Sequence, residues 1–189
     1  MTEIPHEAGK SSIDLIDFEI FYSSLPLAPG MEVLDLGCGS GSYALRLAGR
    51  LGPLSVVRGF DLWSEGVEKL NRTASELGLT NVRAETADLS GLSAVRDGEA
   101  DLALMATVLH DLTARGTGQG ALGEAVRALR KGGWLALVEF KKIDSRPGPP
   151  LEIRLSPEDL LRLTAPFGLA PGKVVELGTS TYLMLFQKP

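Results

Sequence analysis

The stretch Val33–Ala48, VLDLGCGSGSYALRLA, decides the fold. An apolar run, VLDL, leads into glycines at positions 37, 39 and 41, and from Tyr43 the apolar residues recur at helical spacing. A strand that turns through glycine into a helix is the opening βα unit of a parallel sheet. Three glycines at alternate positions exceed what a βα turn of ordinary length needs, so the turn reads as a cradle for a nucleotide-like ligand.

Further along, short apolar runs recur as LSVVRGF, NVRAET, DLALMA and GWLALVEF, with longer segments of helical period between them. The alternation predicts an α/β fold, Rossmann-like and doubly wound, with a mostly parallel sheet and helices on both faces. Helices are predicted over Gly41 to Leu51, Ser64 to Leu77 and Gly120 to Leu129, the last two ended by Gly78 and by the Lys131-Gly132-Gly133 cluster. Ile143 to Leu155 is proline-rich and reads as a loop. Ser156 then caps a helix that has Pro157 as its first residue and stops at Pro166. Lys173 to Leu177 and Thr181 to Phe186 are close enough to pair as an antiparallel hairpin. Before the glycine turn, SSIDLIDFEIFYSSL places Ile13, Ile16, Phe18 or Ile20, and Phe21 on one face of a helix ending before Pro26.

The 189 residues fit a single domain, divided here into an N-terminal helical cap (1–29), a ligand-binding core (30–140) and a closing segment of loop, helix and hairpin (141–189). A net charge of -5 argues against nucleic acid as the main partner. Cys38 is the one cysteine and His6 and His110 are the two histidines, so no metal site is predicted and an internal disulfide is impossible. The apolar runs are far shorter than the roughly 20 residues of a membrane span, and a reducing cytoplasm is the expected setting.

The acid in the opening stretch selects the ligand. Gly39, Gly41 and Ala44 satisfy G-x-G-x-x-A, and Asp61 closes the second strand, so a nicotinamide dinucleotide is a rival. Asp35, however, stands at the strand end where a pyrophosphate would lie, and its carboxylate would repel one. S-adenosylmethionine carries a sulfonium and an amine and no phosphate, so the sign fits. In this reading Gly37 and Gly39 admit the methionyl part, Asp61 accepts from the ribose hydroxyls, with Ser64 the better cap for the next helix, Asp88 accepts from the adenine amine, and the Leu89 N–H meets a ring nitrogen.

The segments VLDLGCGSGSYALRLA, GFDLWSEGVEKLNRTASELGL, ADL, ADLALMATVLHDL and ALRKGGWLALVEF resemble, in order and spacing, the motifs of the class I S-adenosylmethionine-dependent methyltransferases, over about Gly30 to Phe140. The small single-domain, ubiquinone-biosynthesis-like type is the most similar branch. The resemblance implies a seven-stranded sheet with its last strand antiparallel, which the hairpin reading reaches independently. It also implies cofactor contacts from Asp35, Gly37, Gly39, Asp61, Leu62, Asp88, Leu89 and Ala106, with S-adenosylhomocysteine as product.

Methyl transfer is an in-line displacement that needs alignment and exclusion of water, not a nucleophilic side chain. His110, after the fourth strand in TVLHDL, is the candidate base, with Asp111 beside it. The expected acceptor is a small molecule, and Lys141, Lys142, Arg146 and Arg154 make an anionic one an explicit expectation. Specificity is placed on this loop and on the segment around Lys10 to Tyr22. The alternatives are a cofactor-binding module without catalysis and an enzyme acting on nucleic acid or protein. ATVLHDL lacks the Asn/Asp-Pro-Pro-aromatic pattern of base-amine methyltransferases, and a single cysteine does not suit arsenic chemistry.

Overall fold

A computed structural model describes residues 11–144 and 146–189, so His6 and Lys10 lie outside the described residues. Seven strands form one sheet: β1 (Glu32–Leu36), β2 (Val56–Asp61), β3 (Val82–Thr86), β4 (Ala100–Ala106), β5 (Leu129–Phe140), β6 (Ala170–Glu176) and β7 (Thr181–Gln187). Their order is β3-β2-β1-β4-β5-β7-β6. The first five pair in parallel, and β7 runs antiparallel to both β5 and β6. The predicted sheet and its antiparallel last strand are therefore present. The chain winds outward through β2 and β3 on one side of β1 and through β4 and β5 on the other. The β1/β4 boundary is thus the switch point at which such sheets bind ligands.

Alternation along the central strands divides the core into two layers. Leu34 and Leu36 of β1 and Ala103 and Met105 of β4 face α5 (Gly118–Ala128) and α6 (Pro157–Thr164). Val33 of β1 and Leu102 and Leu104 of β4 face α1 (Phe18–Ser24), α2 (Ser42–Leu51) and α3 (Ser64–Glu76). Phe60, Leu34, Leu36, Leu102 and Met105 are fully buried, each contributing roughly 1.5–3 kcal/mol of transfer free energy. Asp35 has the parity of Val33, so it lies on the face that α2 covers, at 1% exposure.

Local signals account for most boundaries. Ser156 and Asp159 form a reciprocal capping box ahead of α6, with Pro157 in its first turn, and a short 3-10 turn carries Pro166. Gly78, at φ +67°, follows the end of α3. Three expectations need correction. The N-terminal segment is not one helix: a 3-10 turn, Ile13–Leu15, gives way to extended backbone at Ile16, and α1 restarts because Asp17 accepts from the N–H groups of Glu19 and Ile20. Phe18 rather than Ile20 completes the buried stripe, since Ile20 is 42% exposed.

The second correction concerns Lys131-Gly132-Gly133, which lies inside β5. Helix α5 ends at Ala128, and Gly132, at φ +75°, shapes the register shift between β4 and β5. The third concerns Ser64, which is the first residue of α3 and not its cap. Trp63 takes the cap position, and its N–H donates to Asp61 Oδ1 at 2.9 Å.

Candidate active site

Above the carboxyl ends of the parallel strands lies a cavity of about 970 Å³. Its walls come from the glycine turn, the ends of β2 and β4, the Asp88–Leu89 loop, helix α4 (Leu109–Ala114), the loop after β5 and the segment Ser11–Leu15. Of the residues singled out in the sequence, Gly37, Gly39, Asp61, Leu62, Asp88, Leu89, Ala106 and His110 all face it.

The three turn glycines do different work. A Cβ on Gly37 would stand 2.7 Å from Val108 Cγ2, and one on Gly41 would stand 2.4 Å from Leu70 Cγ, so these two let the start of α4 and helix α3 pack closely. Both also have positive φ, at +86° and +88°. Gly39, at φ +51°, has nothing within 4 Å of such an atom, so its backbone is open to a ligand. Cys38 is packed instead against Gly59, whose added Cβ would meet its sulfur at 2.8 Å, and burial pushes its thiol far above the ordinary range.

Asp61 ties the turn to the second strand. Its Oδ2 accepts from Gly39 N–H at 2.8 Å while Oδ1 accepts from Trp63, so one carboxylate fixes both loops and still faces the cavity. A carboxylate has about four acceptor positions, and these two bonds leave capacity for a vicinal diol. Asp88 is exposed on the same wall, and hydrogen bonds from the backbone and side chain of Ser90 hold its carboxyl below the usual range. Leu89 is buried beside it and Leu62 is 50% exposed, an apolar surface suited to a flat ring.

Asp35 is not on the cavity wall. It is buried behind the glycine turn and its Oδ2 has no hydrogen-bond partner. Burial, reinforced by the charge of Asp61 and opposed by a hydrogen bond from the Ala44 backbone, pushes its carboxyl up to about 7. A buried carboxylate with one oxygen unpartnered is costly, and a cation bound at the turn would offset that cost. Among the described residues, the wall from Gly37 to Leu89 carries acids and no cation, the arrangement a phosphate-free, positively charged nucleoside needs.

The other side of the cavity is built by β4, α4 and β5. His110, 3% exposed, places Nδ1 2.7 Å from Oε2 of Glu139, a fully buried residue at the end of β5. The His110 backbone N–H donates to Oε1 of the same carboxylate at 3.1 Å, and Nε2 lies 3.7 Å from Asp111 Oδ2. Glu139 was missed in the sequence because it hides in the apolar run LALVEF. The available signal was an acid at the carboxyl end of a strand buried on both faces, where a charge is tolerated only with a partner.

Over this side Ser12, 2% exposed, joins Tyr43 OH at 2.8 Å and Thr107 Oγ1 at 3.0 Å. Thr107 has φ +53°, a strained conformation for a β-branched residue, directly after β4. The loop after β5 is pinned by Arg154. This residue is 3% exposed, and its guanidinium donates to the carbonyls of Pro149, Lys141 and Ile143. Arg154 is therefore a clamp within the chain and not a wall of the cavity, which corrects its expected place beside an acceptor.

A doubly wound sheet with a glycine turn after β1, an acid closing β2 and, from Gly37 to Leu89, a wall that carries acids and no cation are the features of the class I S-adenosylmethionine-dependent methyltransferases. The chain belongs to that group: residues 27–156 match the methyltransferase domain family. It is 33% identical, over 66% of its length, to 27-O-demethylrifamycin SV methyltransferase of Amycolatopsis mediterranei, of which the match covers 44%. The matched parts of two further curated relatives are 33% and 29% of their lengths, so the chain spans less than half of each of these proteins.

A solved S-adenosylmethionine-dependent methyltransferase from Aquifex aeolicus superimposes with a TM-score of 0.85 at 27% identity, over 94% of this chain and 93% of that one. A second, from Methanosarcina mazei, shares the fold with a TM-score of 0.74 at 23% identity, over 92% and 99% of the two chains. Among the described residues no helix is long and apolar enough to cross a membrane.

Proposed function

We propose that this protein transfers the methyl group of S-adenosylmethionine to a small-molecule acceptor, with His110 as the base that takes the acceptor's proton. One observation carries the reading: a single cavity joins the acids Asp61 and Asp88 to the His110 ring. Its volume of about 970 Å³ is at the upper end of the range for small-molecule sites, roughly 300–1,000 Å³. By name, the Amycolatopsis mediterranei relative acts on a demethylated rifamycin, which supports an acceptor of low molecular weight.

Bound S-adenosylmethionine supplies an electrophilic methyl carbon on a sulfonium, and the C–S bonding pair stays with sulfur on transfer. The chain's own residues do the rest. Gly39 and Asp61 would hold the ribose side, and Asp88 with Leu62 and Leu89 the adenine side. Glu139 accepts Nδ1–H of His110 and so presents Nε2 as the proton acceptor, the orienting role of a buried carboxylate behind a catalytic imidazole. Ser12, Leu15, Phe140 and the segment Pro147–Pro150 cover the cavity and keep water from the reacting centre.

The test is an assay for S-adenosylhomocysteine release with three groups of acceptors: small hydroxylated compounds, total RNA and denatured protein. Turnover on members of the first group and none on the other two is expected. Turnover on RNA or protein alone contradicts a small acceptor, and cofactor binding without turnover on any substrate supports the binding-module alternative.

A further inference from the structure

The charged groups of the cavity wall are segregated by the order of the sheet. Asp88 and Asp61 stand at the ends of β3 and β2, whereas both arginines of the wall follow β4 and β5: Arg115 at the end of α4, and Arg146 in the loop after β5. The other cations of that loop are engaged by the protein. Lys141 pairs with Glu176 and the Gly178 carbonyl, Lys142 with Asp159, and Arg154 with three backbone carbonyls. Among the described residues the side chains of Arg115 and Arg146 have no hydrogen bond and no ion pair, so their guanidiniums are available to a ligand. Leu112, Phe140, Pro147 and Pro149 give the same cavity wall apolar surface.

We infer that the acceptor is a carboxylic acid with an apolar body, its carboxylate held by Arg115 and Arg146. This rests on the methyl-transfer reading above. Guanidinium forks match a carboxylate in bidentate geometry and bind it more strongly where water is thinned by apolar neighbours. The number of charges decides between a carboxylate and a phosphate. Asp111 shares this wall and Glu139 lies behind His110, so a dianion would meet two carboxylates, while a monoanion leaves the arginines nearly balanced. Arg154 acts at one remove, as a positioning residue: its carbonyl contacts fix the loop that carries Arg146.

The experiment measures binding by ligand-observed NMR to protein saturated with S-adenosylhomocysteine, using benzoate, salicylate and phenylacetate, the corresponding amides, and phenyl phosphate. At least one carboxylate is expected to bind about tenfold more tightly than its amide and more tightly than phenyl phosphate. Arg115→Met and Arg146→Met should each weaken that carboxylate by about tenfold while leaving the amide and S-adenosylhomocysteine within about twofold. Retained S-adenosylhomocysteine affinity shows that each variant is folded. Carboxylates that bind no better than amides, a preference for phenyl phosphate, or variants that bind carboxylate like the parent would overturn the inference. A parent protein that fails to bind S-adenosylhomocysteine would instead count against the reading on which it rests.

Discussion

Replacing Glu139 with glutamine is expected to lower turnover by about a hundredfold while leaving S-adenosylhomocysteine affinity within about twofold. The carboxylate accepts at both oxygens, from Nδ1 of His110 at 2.7 Å and from the His110 backbone at 3.1 Å. Glutamine keeps the shape but has one acceptor oxygen, and its amide would face a donor. The imidazole then loses either its tautomer or its orientation. His110→Ala removes the base itself and should cost about 10²–10⁴-fold, the usual contribution of general base catalysis.

That single change also strands a buried carboxylate, which can destabilise by about 3–5 kcal/mol. The double variant His110→Gln, Glu139→Gln keeps the pair neutral and separates folding from catalysis. The pH profile discriminates further, because the acidic limb of turnover set by imidazole protonation should disappear in His110→Ala. Unchanged turnover in Glu139→Gln and in the double variant would remove the base from the mechanism.

The second large effect belongs to Asp35. Its carboxyl is raised by burial and by Asp61 to about 7 from an ordinary 3.8, so in the absence of ligand the native state holds a proton that the unfolded chain has released. Below about pH 4 both states are protonated and nothing is lost. Between about 4 and 7 the unfolded chain ionises first, and stability falls by up to roughly 4 kcal/mol before levelling off above 7.

Urea unfolding of the ligand-free protein at pH 5, 6, 7 and 8, beside Asp35→Asn, should show the parent losing stability relative to the variant up to pH 7. A constant difference across that range would mean the carboxyl is not raised. With a cationic ligand at the turn the ionised form becomes favourable, so the affinity of S-adenosylmethionine should rise with pH up to about 7 in the parent and lose that dependence in Asp35→Asn.

These two residues also mark how far the sequence could be read. Asp35 was identified from its charge and its place at a strand end, and the expectation put it in contact with the ligand. Strand parity places it on the face of Val33 under α2, 1% exposed behind the glycine turn. Gly37 was assigned with Gly39 to steric access for the ligand, but an added Cβ on Gly37 would strike Val108, and one on Gly41 would strike Leu70. Those contacts join residues 71 and 29 positions apart and leave no local trace in the sequence.

Asp61 was legible because the acid closing the second strand has a fixed topological position. Its bonds to Gly39 and Trp63 were not, since they depend on where two loops meet. The pairing of Glu139 with His110 was invisible until the sheet brought the end of β5 beside α4. Arg154 looked like a surface cation because four cations cluster in a proline-rich loop, and only the fold shows that its guanidinium is spent on that loop's own carbonyls. Arg115, which reaches the wall together with Arg146, caps the end of α4, a short helix that the pattern VLHDL was too brief to announce.

The account stands or falls on what the acid side of the cavity accepts. Isothermal titration of S-adenosylhomocysteine and of NAD into the same protein measures this directly. One-to-one binding of S-adenosylhomocysteine, weakened at least tenfold by Asp61→Ala, with no measurable binding of NAD, is the predicted result. Binding of NAD in preference to S-adenosylhomocysteine, or affinity for S-adenosylhomocysteine unchanged in Asp61→Ala, would contradict it.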